Sequence, residues 1–226
     1  MRLSLTQRQR PIYSAPMART TGSVRTVPGR RGRGEGKIGA RERVLAAAYE
    51  LFAREGVRAV GVDRIIEQAG VAKMTFYRHF PSKDDLVLAF LRRREELWTR
   101  RWLEAEVRRR AVSPQERLVR VFDLFDEWFH RPDFEGCSFI NVLLETPEAG
   151  RQVRDATASH LANIRAFLCE LASEAGIADP EGFARQWHIL MKGAIVAAVE
   201  GDREAARRAQ GVARLLLASE LDRARS

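Results

Sequence analysis

The 226-residue chain has only two cysteines, Cys137 and Cys169, far apart in sequence. They cannot build a disulfide framework or a Cys-rich zinc module, and their scarcity fits a reducing cytosol. A redox switch is the alternative use for them, against the commoner role of plain packing. The four histidines are scattered, and there is no His-Glu-x-x-His, no Gly-x-Ser-x-Gly and no phosphate-cradling glycine loop. Asp84-Asp85 and Glu95-Glu96 are sequence neighbours, so on a helix they face different ways and cannot act as an acid–base pair. These absences argue against an enzyme, a metal sensor and a bound cofactor. No apolar run approaches the ~18 residues of a membrane span, so no membrane partner is expected. There is no hairpin signal and no repeat of fixed period.

Acid is nearly absent from one end. Residues 1–39 set nine Lys and Arg against Glu35 alone, residues 40–83 carry 8 bases and 5 acids, and residues 84–226 carry 22 bases and 24 acids. The net charge of +9 therefore belongs to the N-terminal side. That asymmetry points to an anionic polymer met at one end, with a merely solvated tail as the alternative. The arm 1–39 is rich in Gly, Pro, Ser, Thr and Arg and poor in large apolar residues. It cannot offset its ordering entropy and is expected to be disordered. A secretory signal would need an apolar stretch that is missing. Pro28, Gly29, Gly32, Gly34 and Gly36 spoil the amphipathic helix of a transit peptide. Met17 stands as an alternative start.

From Ala40 onward the apolar spacing is helical throughout. Val44, Leu45, Ala48, Leu51 and Phe52 share one face of a helix over Ala40–Glu55 that Gly56 stops. Short helices follow over 62–69 and 73–79, with Gly70-Val71-Ala72 as the turn between them. After Pro81, Ser82 caps a helix that runs toward residue 110, long enough that a kink or break is expected. Ser113-Pro114-Gln115-Glu116 is a capping box with Pro at N1, opening a helix to about His130. Further helices are predicted over 138–145, 148–175, 180–200 and from Asp202 to about Leu221. The expectation is an all-α fold of about nine helices: a three-helix head over 40–84 and a larger helical body over 85–226 joined to it by helix four.

Helix, short glycine-containing turn, helix over 62–79 is the helix-turn-helix pattern. Gly70 suits a turn position with positive φ, and Ile65, Ile66 and Val71 lock the pair together. Phe76 and Phe80 look inward at i, i+4. Lys73, Arg78, His79 and Lys83 are left to donate to phosphates, while Thr75 and Tyr77 can donate or accept. An ordinary αα-hairpin with basic decoration would look similar at this level.

The detail is sharper than that. Residues 41–91, RERVLAAAYELFAREGVRAVGVDRIIEQAGVAKMTFYRHFPSKDDLVLAFL, closely resemble the N-terminal DNA-binding domain of the TetR/AcrR family of transcriptional regulators. The run Gly70–Lys83, GVAKMTFYRHFPSK, carries most of the likeness. The resemblance implies double-stranded DNA as partner, with Lys73, Met74 and Thr75 at base edges and Tyr77, Arg78 and His79 at phosphates or nearby bases. It also places Lys83 and the start of helix four at a phosphate, which suits the anion preference of a helix N-terminus. One departure stands out. The family often caps its second helix with Thr or Ser, and here Gly61-Val62-Asp63 offers no hydroxyl, leaving Arg64 as the candidate substitute.

The remainder agrees with the family in helical pattern and length. His188–Val199 is apolar nearly all round, with small Gly193, Ala194, Ala197 and Ala198 permitting close approach. With the last helix it is expected to form a homodimer face through Ile195, Val199, Val212 and Leu216, monomer core being the alternative. Trp102, Phe125, Trp128, Phe129, Phe139, Phe167 and Trp187 make the middle of the body rich in rings, which is either ordinary core or the wall of a pocket. The resemblance implies a small-molecule effector there, oriented by Asn141, His160 and His188. The function so implied is a cytoplasmic regulator, a repressor released from a palindromic operator by its effector. The rival reading is a helical protein-interaction module that touches nucleic acid only through its basic arm.

Overall fold

The computed structural model describes residues 38–145 and 150–223. Nearly all of the basic arm lies outside the described residues, as do Pro147 and Glu148, where one helix was expected to stop and the next to start. Among the described residues the chain is helical, without a strand.

The head is built from α1 (Ala40–Glu55), α2 (Val62–Ala69) and α3 (Lys73–His79). Each boundary has a local cause. Gly56 leaves α1 at φ 80°, and Gly70 leaves α2 in the left-handed region at φ 59°, which a side chain would resist. Gly61 stands at the start of α2 without a side-chain cap. Val44, Leu51, Ile65 and Phe76 are fully buried at the centre of the three helices.

α4 (Lys83–Arg94) begins with a complete capping box, in which Ser82 Oγ accepts the Asp85 N–H and Asp85 caps Ser82 in return. It ties head to body. Phe90 is buried and meets Tyr49 and Phe52 of α1 edge-on at 5.4 and 5.5 Å, contacts worth about 0.5–1.5 kcal/mol each beyond burial. One turn on, the buried Arg94 donates to Tyr49 Oη at 3.1 Å.

The helix does not break before residue 110. Instead the helix continues through a π-helical stretch, Glu95–Glu104, into α5 (Ala105–Arg110). Its wider turn brings residues five apart onto one face. Arg100 donates to Glu95 at 3.2 Å and Arg101 to Glu96 at 2.7 Å, both across five residues.

The body adds α6 (Pro114–Phe129), with the capping box of Ser113 and Glu116, then α7 (Ser138–Glu145) and α8 (Arg151–Glu174). α9 (Pro180–Val199) starts where Asp179 accepts the Gly182 N–H, and α10 (Ala205–Arg223) closes the chain. α10 starts later than expected, and the Asp202 carboxylate accepts the Glu204 N–H in the turn before it and Arg208 Nε from its first turn. α8 packs on α9, and α10 packs on α6 and α9, so the last three long helices and α6 enclose the body's core.

Candidate nucleic-acid interface

α3 turns two faces to different surroundings. Phe76 and Phe80 are buried, and the Tyr77 ring stands edge-on to Phe76 at 5.2 Å with 41% of its surface exposed. Met74 is 82% exposed, Lys73 and Arg78 are exposed, and Thr75 and His79 are half-buried. The alternation follows from seven residues making two turns, with the aromatic pair at i, i+4 anchoring the inner side. Arg43 fixes the turn that aims the helix. Its Nε donates to Ala69 O at 3.1 Å, a terminal carbonyl of α2 that the helix itself leaves open.

Lys73 Nζ lies 3.2 Å from Asp63 Oδ1, an exposed pair that a phosphate or a base acceptor can displace at small cost. Arg64 is more firmly occupied. Its guanidinium forks onto both oxygens of Glu55 in α1 and holds that carboxyl below its ordinary range. A phosphate contact from Arg64 therefore requires that pair to open. Lys83 sits half-buried at the first residue of α4. Burial lowers its ammonium pKa, while Asp84 and Glu145 pull the other way.

In the body the ring-rich residues pack against one another. Trp102, Phe125 and Trp128 gather around Trp98, at 5.3 Å for Trp102 and 5.1 Å for Trp128, and Phe129 stacks beyond them, 5.5 Å from Phe125. Trp187 packs on Phe122 at 5.5 Å, and Phe167 lies beneath the Arg108 guanidinium at 5.3 Å. Each ring packs against the next within the body's interior. Phe139 lies against the His160 ring at 5.3 Å, and His160 Nδ1 pairs with Glu95. Burial alone would raise the Glu95 pKa, but Asn163, His160 and Arg100 together hold it low. His160 is thus taken up by a carboxylate, and Asn141 is half-buried on α7.

The described groove lies elsewhere, on α7, α8 and α9, and Ile140, Leu143 and Lys192 line it. Periodicity had no means of singling out these residues, since a groove is made by three helices meeting rather than by one helix's pattern.

Of the expected dimer residues, Val199 and Val212 are 63% and 53% exposed and Leu216 is half-buried. Ile195 is a correction. It is buried within the monomer's own core, because it falls on the side of α9 that carries Trp187, Met191 and Ala194. Ile189, Val196 and Leu215 extend the exposed apolar face that Val199 and Val212 mark.

Head, turn and linking helix together define a helix-turn-helix regulator. Residues 44–90 match the family described as bacterial regulatory proteins, tetR family, and residues 114–212 match the tetracyclin repressor-like C-terminal domain. The chain belongs to the TetR family of transcriptional regulators. The HTH-type transcriptional activator FasR of Mycolicibacterium smegmatis is 34% identical over 122 residues, 52% of this chain and 53% of that protein. The transcriptional regulator AcuR of Cereibacter sphaeroides is 28% identical over 194 residues, 81% of this chain and 88% of that protein. A solved structure of SCO4454, a TetR-family regulator from Streptomyces coelicolor, superposes with a TM-score of 0.73 at 29% identity, covering 80% of this chain and 95% of that one. The chain spans about half the length of several curated relatives it matches, FasR among them.

Proposed function

We propose that the protein is a homodimeric, sequence-specific DNA-binding regulator of the cytoplasm, with residues 40–84 as the reading head and 85–226 as the dimerising, effector-binding body. One observation carries this reading. α3 exposes Lys73, Met74, Tyr77 and Arg78 while Phe76 and Phe80 root it in the head. A helix so presented fits a major groove about 12 Å wide. Lys73, Met74 and Thr75 meet base edges, and Tyr77, Arg78, His79 and Lys83 meet phosphates or nearby bases. Two heads related by the dimer axis read two half-sites of a palindrome about one helical turn or more apart.

The dimer forms through the exposed apolar face of α9 and α10, occupied by a second copy of this chain. Ile189, Val196, Val199, Val212 and Leu215 are large apolar groups left in water by the monomer, and their burial favours association. A small-molecule effector in the body shifts α4, changes the head spacing and releases the operator. Moving the population from mostly bound to mostly free needs about 5.5 kcal/mol of differential affinity. Repression is the reading adopted for the outcome at the promoter.

The test is to select fragments of genomic DNA bound by the full-length protein and sequence them. The reading expects an enriched site with two-fold symmetry. Enrichment without any symmetric site would contradict it.

A further inference from the structure

An open groove of about 540 Å³ runs between α7, α8 and α9, walled by apolar side chains such as Ile140, Leu143 and Leu161. One cation lines it, Lys192. Lys192 is half-buried, and neither it nor the half-buried Arg165 of α8 forms an ion pair among the described residues. Burial and then Arg165 lower the Lys192 ammonium pKa, with only the Cys137 thiol pulling the other way. One turn earlier on α9, His188 is 3% exposed and its Nδ1 has no hydrogen-bond partner. Burial, then Lys192 and Arg165, push its pKa down to about 3. Lys192 thus stands as a cation on an apolar wall, with Arg165 and the neutral His188 near it and no compensating acid beside it among the described residues. Glu200 lines the groove as well, but two turns along α9, about 12 Å away at ~1.5 Å per residue.

A half-buried cation without a partner is costly, and an anion placed beside it in a low-dielectric wall recovers that cost. The surrounding walls favour hydrocarbon. A bare inorganic anion would leave them wet, and an uncharged lipid would leave Lys192 unpaired. We propose that this groove binds a small amphipathic monocarboxylate, its carboxylate on Lys192 and its hydrocarbon part along Ile140, Leu143 and Leu161. The assignment of this ligand as the effector rests on the regulatory reading above, whereas the binding site does not.

The place of the groove gives it a route to the head. α7 supplies Ile140, Leu143 and Leu144 to the wall, and the next residue, Glu145, accepts the Arg58 N–H in the loop between α1 and α2. A ligand that moves this wall moves the contact to the reading head. The open rim, at Ile189 and Val196, belongs to the face assigned to the second copy, so the experiment uses the full-length protein in its native oligomeric state.

Calorimetry with octanoate and octan-1-ol separates carboxylate recognition from simple partition into an apolar groove. The proposal expects octanoate to bind at least about tenfold more tightly than the alcohol, the worth of one charge-assisted contact. Lys192→Met should remove that advantage, bringing octanoate down to the alcohol, while Lys192→Arg should keep most of it. Equal affinities of the wild-type protein for acid and alcohol would overturn the proposal, whatever the variants do. So would absence of octanoate binding, or an unweakened Lys192→Met protein of wild-type melting temperature. Operator affinity is measured in parallel with octanoate present. Lys192-dependent binding that leaves operator affinity unchanged upholds the carboxylate site and overturns only its role as effector site.

Discussion

Glu145 Oε2 accepts the backbone N–H of Arg58 at 3.3 Å, joining the last residue of α7 in the body to the loop between α1 and α2 in the head. The same carboxylate lies over Gly56, where a Cβ would collide with it, and Gly56 has the positive φ of 80° that side chains avoid. The head and body therefore touch at a second place besides α4, and glycine is what allows the approach.

Gly56→Ala should lose about 1–3 kcal/mol, chiefly from backbone strain at positive φ, with the Glu145 carboxylate swinging aside and giving up the Arg58 N–H. Glu145→Ala removes the colliding group, so the double variant should lose less than the two single losses added. Urea denaturation of all four proteins measures this directly. Additivity within about 0.5 kcal/mol would show that the two residues are not in contact.

Acid should destabilise the protein through His188. Its folded pKa is pushed down to about 3 from the ordinary 6.5 by burial first and by Lys192 and Arg165 next. Well above pH 6.5 the imidazole is neutral in both states and contributes no slope. Below that value the unfolded chain takes up a proton that the folded chain refuses, so stability falls with pH by up to about 1.4 kcal/mol per unit. Urea midpoints between pH 7 and 5 should show this decline, flattened in His188→Leu. The same slope in the variant would contradict a buried neutral imidazole.

The oligomer should depend on side chains that the monomer leaves in water. Val212→Glu combined with Leu215→Glu adds charge to the exposed face of α10 without touching the monomer's core. Sedimentation should find the wild-type protein dimeric and the double variant monomeric, with unchanged helical content. A dimer that survives both charges places the interface elsewhere.

Much of this architecture is legible in the sequence, because the signals are local. Ser82, Ser113 with Pro114, and Asp179 start helices where they cap them, and Gly56 and Gly70 end helices where they take positive φ. The outward set of α3 follows from Phe76 and Phe80 at i, i+4. The π-helical stretch was not legible, since Glu96 and Arg100 also stand four apart as an α-helix would pair them, and only the structure shows Glu95 with Arg100 and Glu96 with Arg101. What else was not legible depends on several helices meeting. Ile195 is apolar on an apolar helix, and only the packing of α9 on its neighbours decides that it faces inward while Val196 faces out. Glu145 reaches a residue 87 positions away, beyond any periodic signal.

The most direct test of the central claim is the ratio of affinities for the selected operator and for random duplex DNA. It is measured for the wild-type protein, Lys73→Ala, Tyr77→Ala and a protein lacking residues 1–39. Each α3 substitution should lower the ratio by about tenfold or more, since each removes contacts at both half-sites, while the truncated protein keeps the ratio and binds all DNA more weakly. If the two α3 variants keep the wild-type ratio and the truncation abolishes it, α3 is not the reading element.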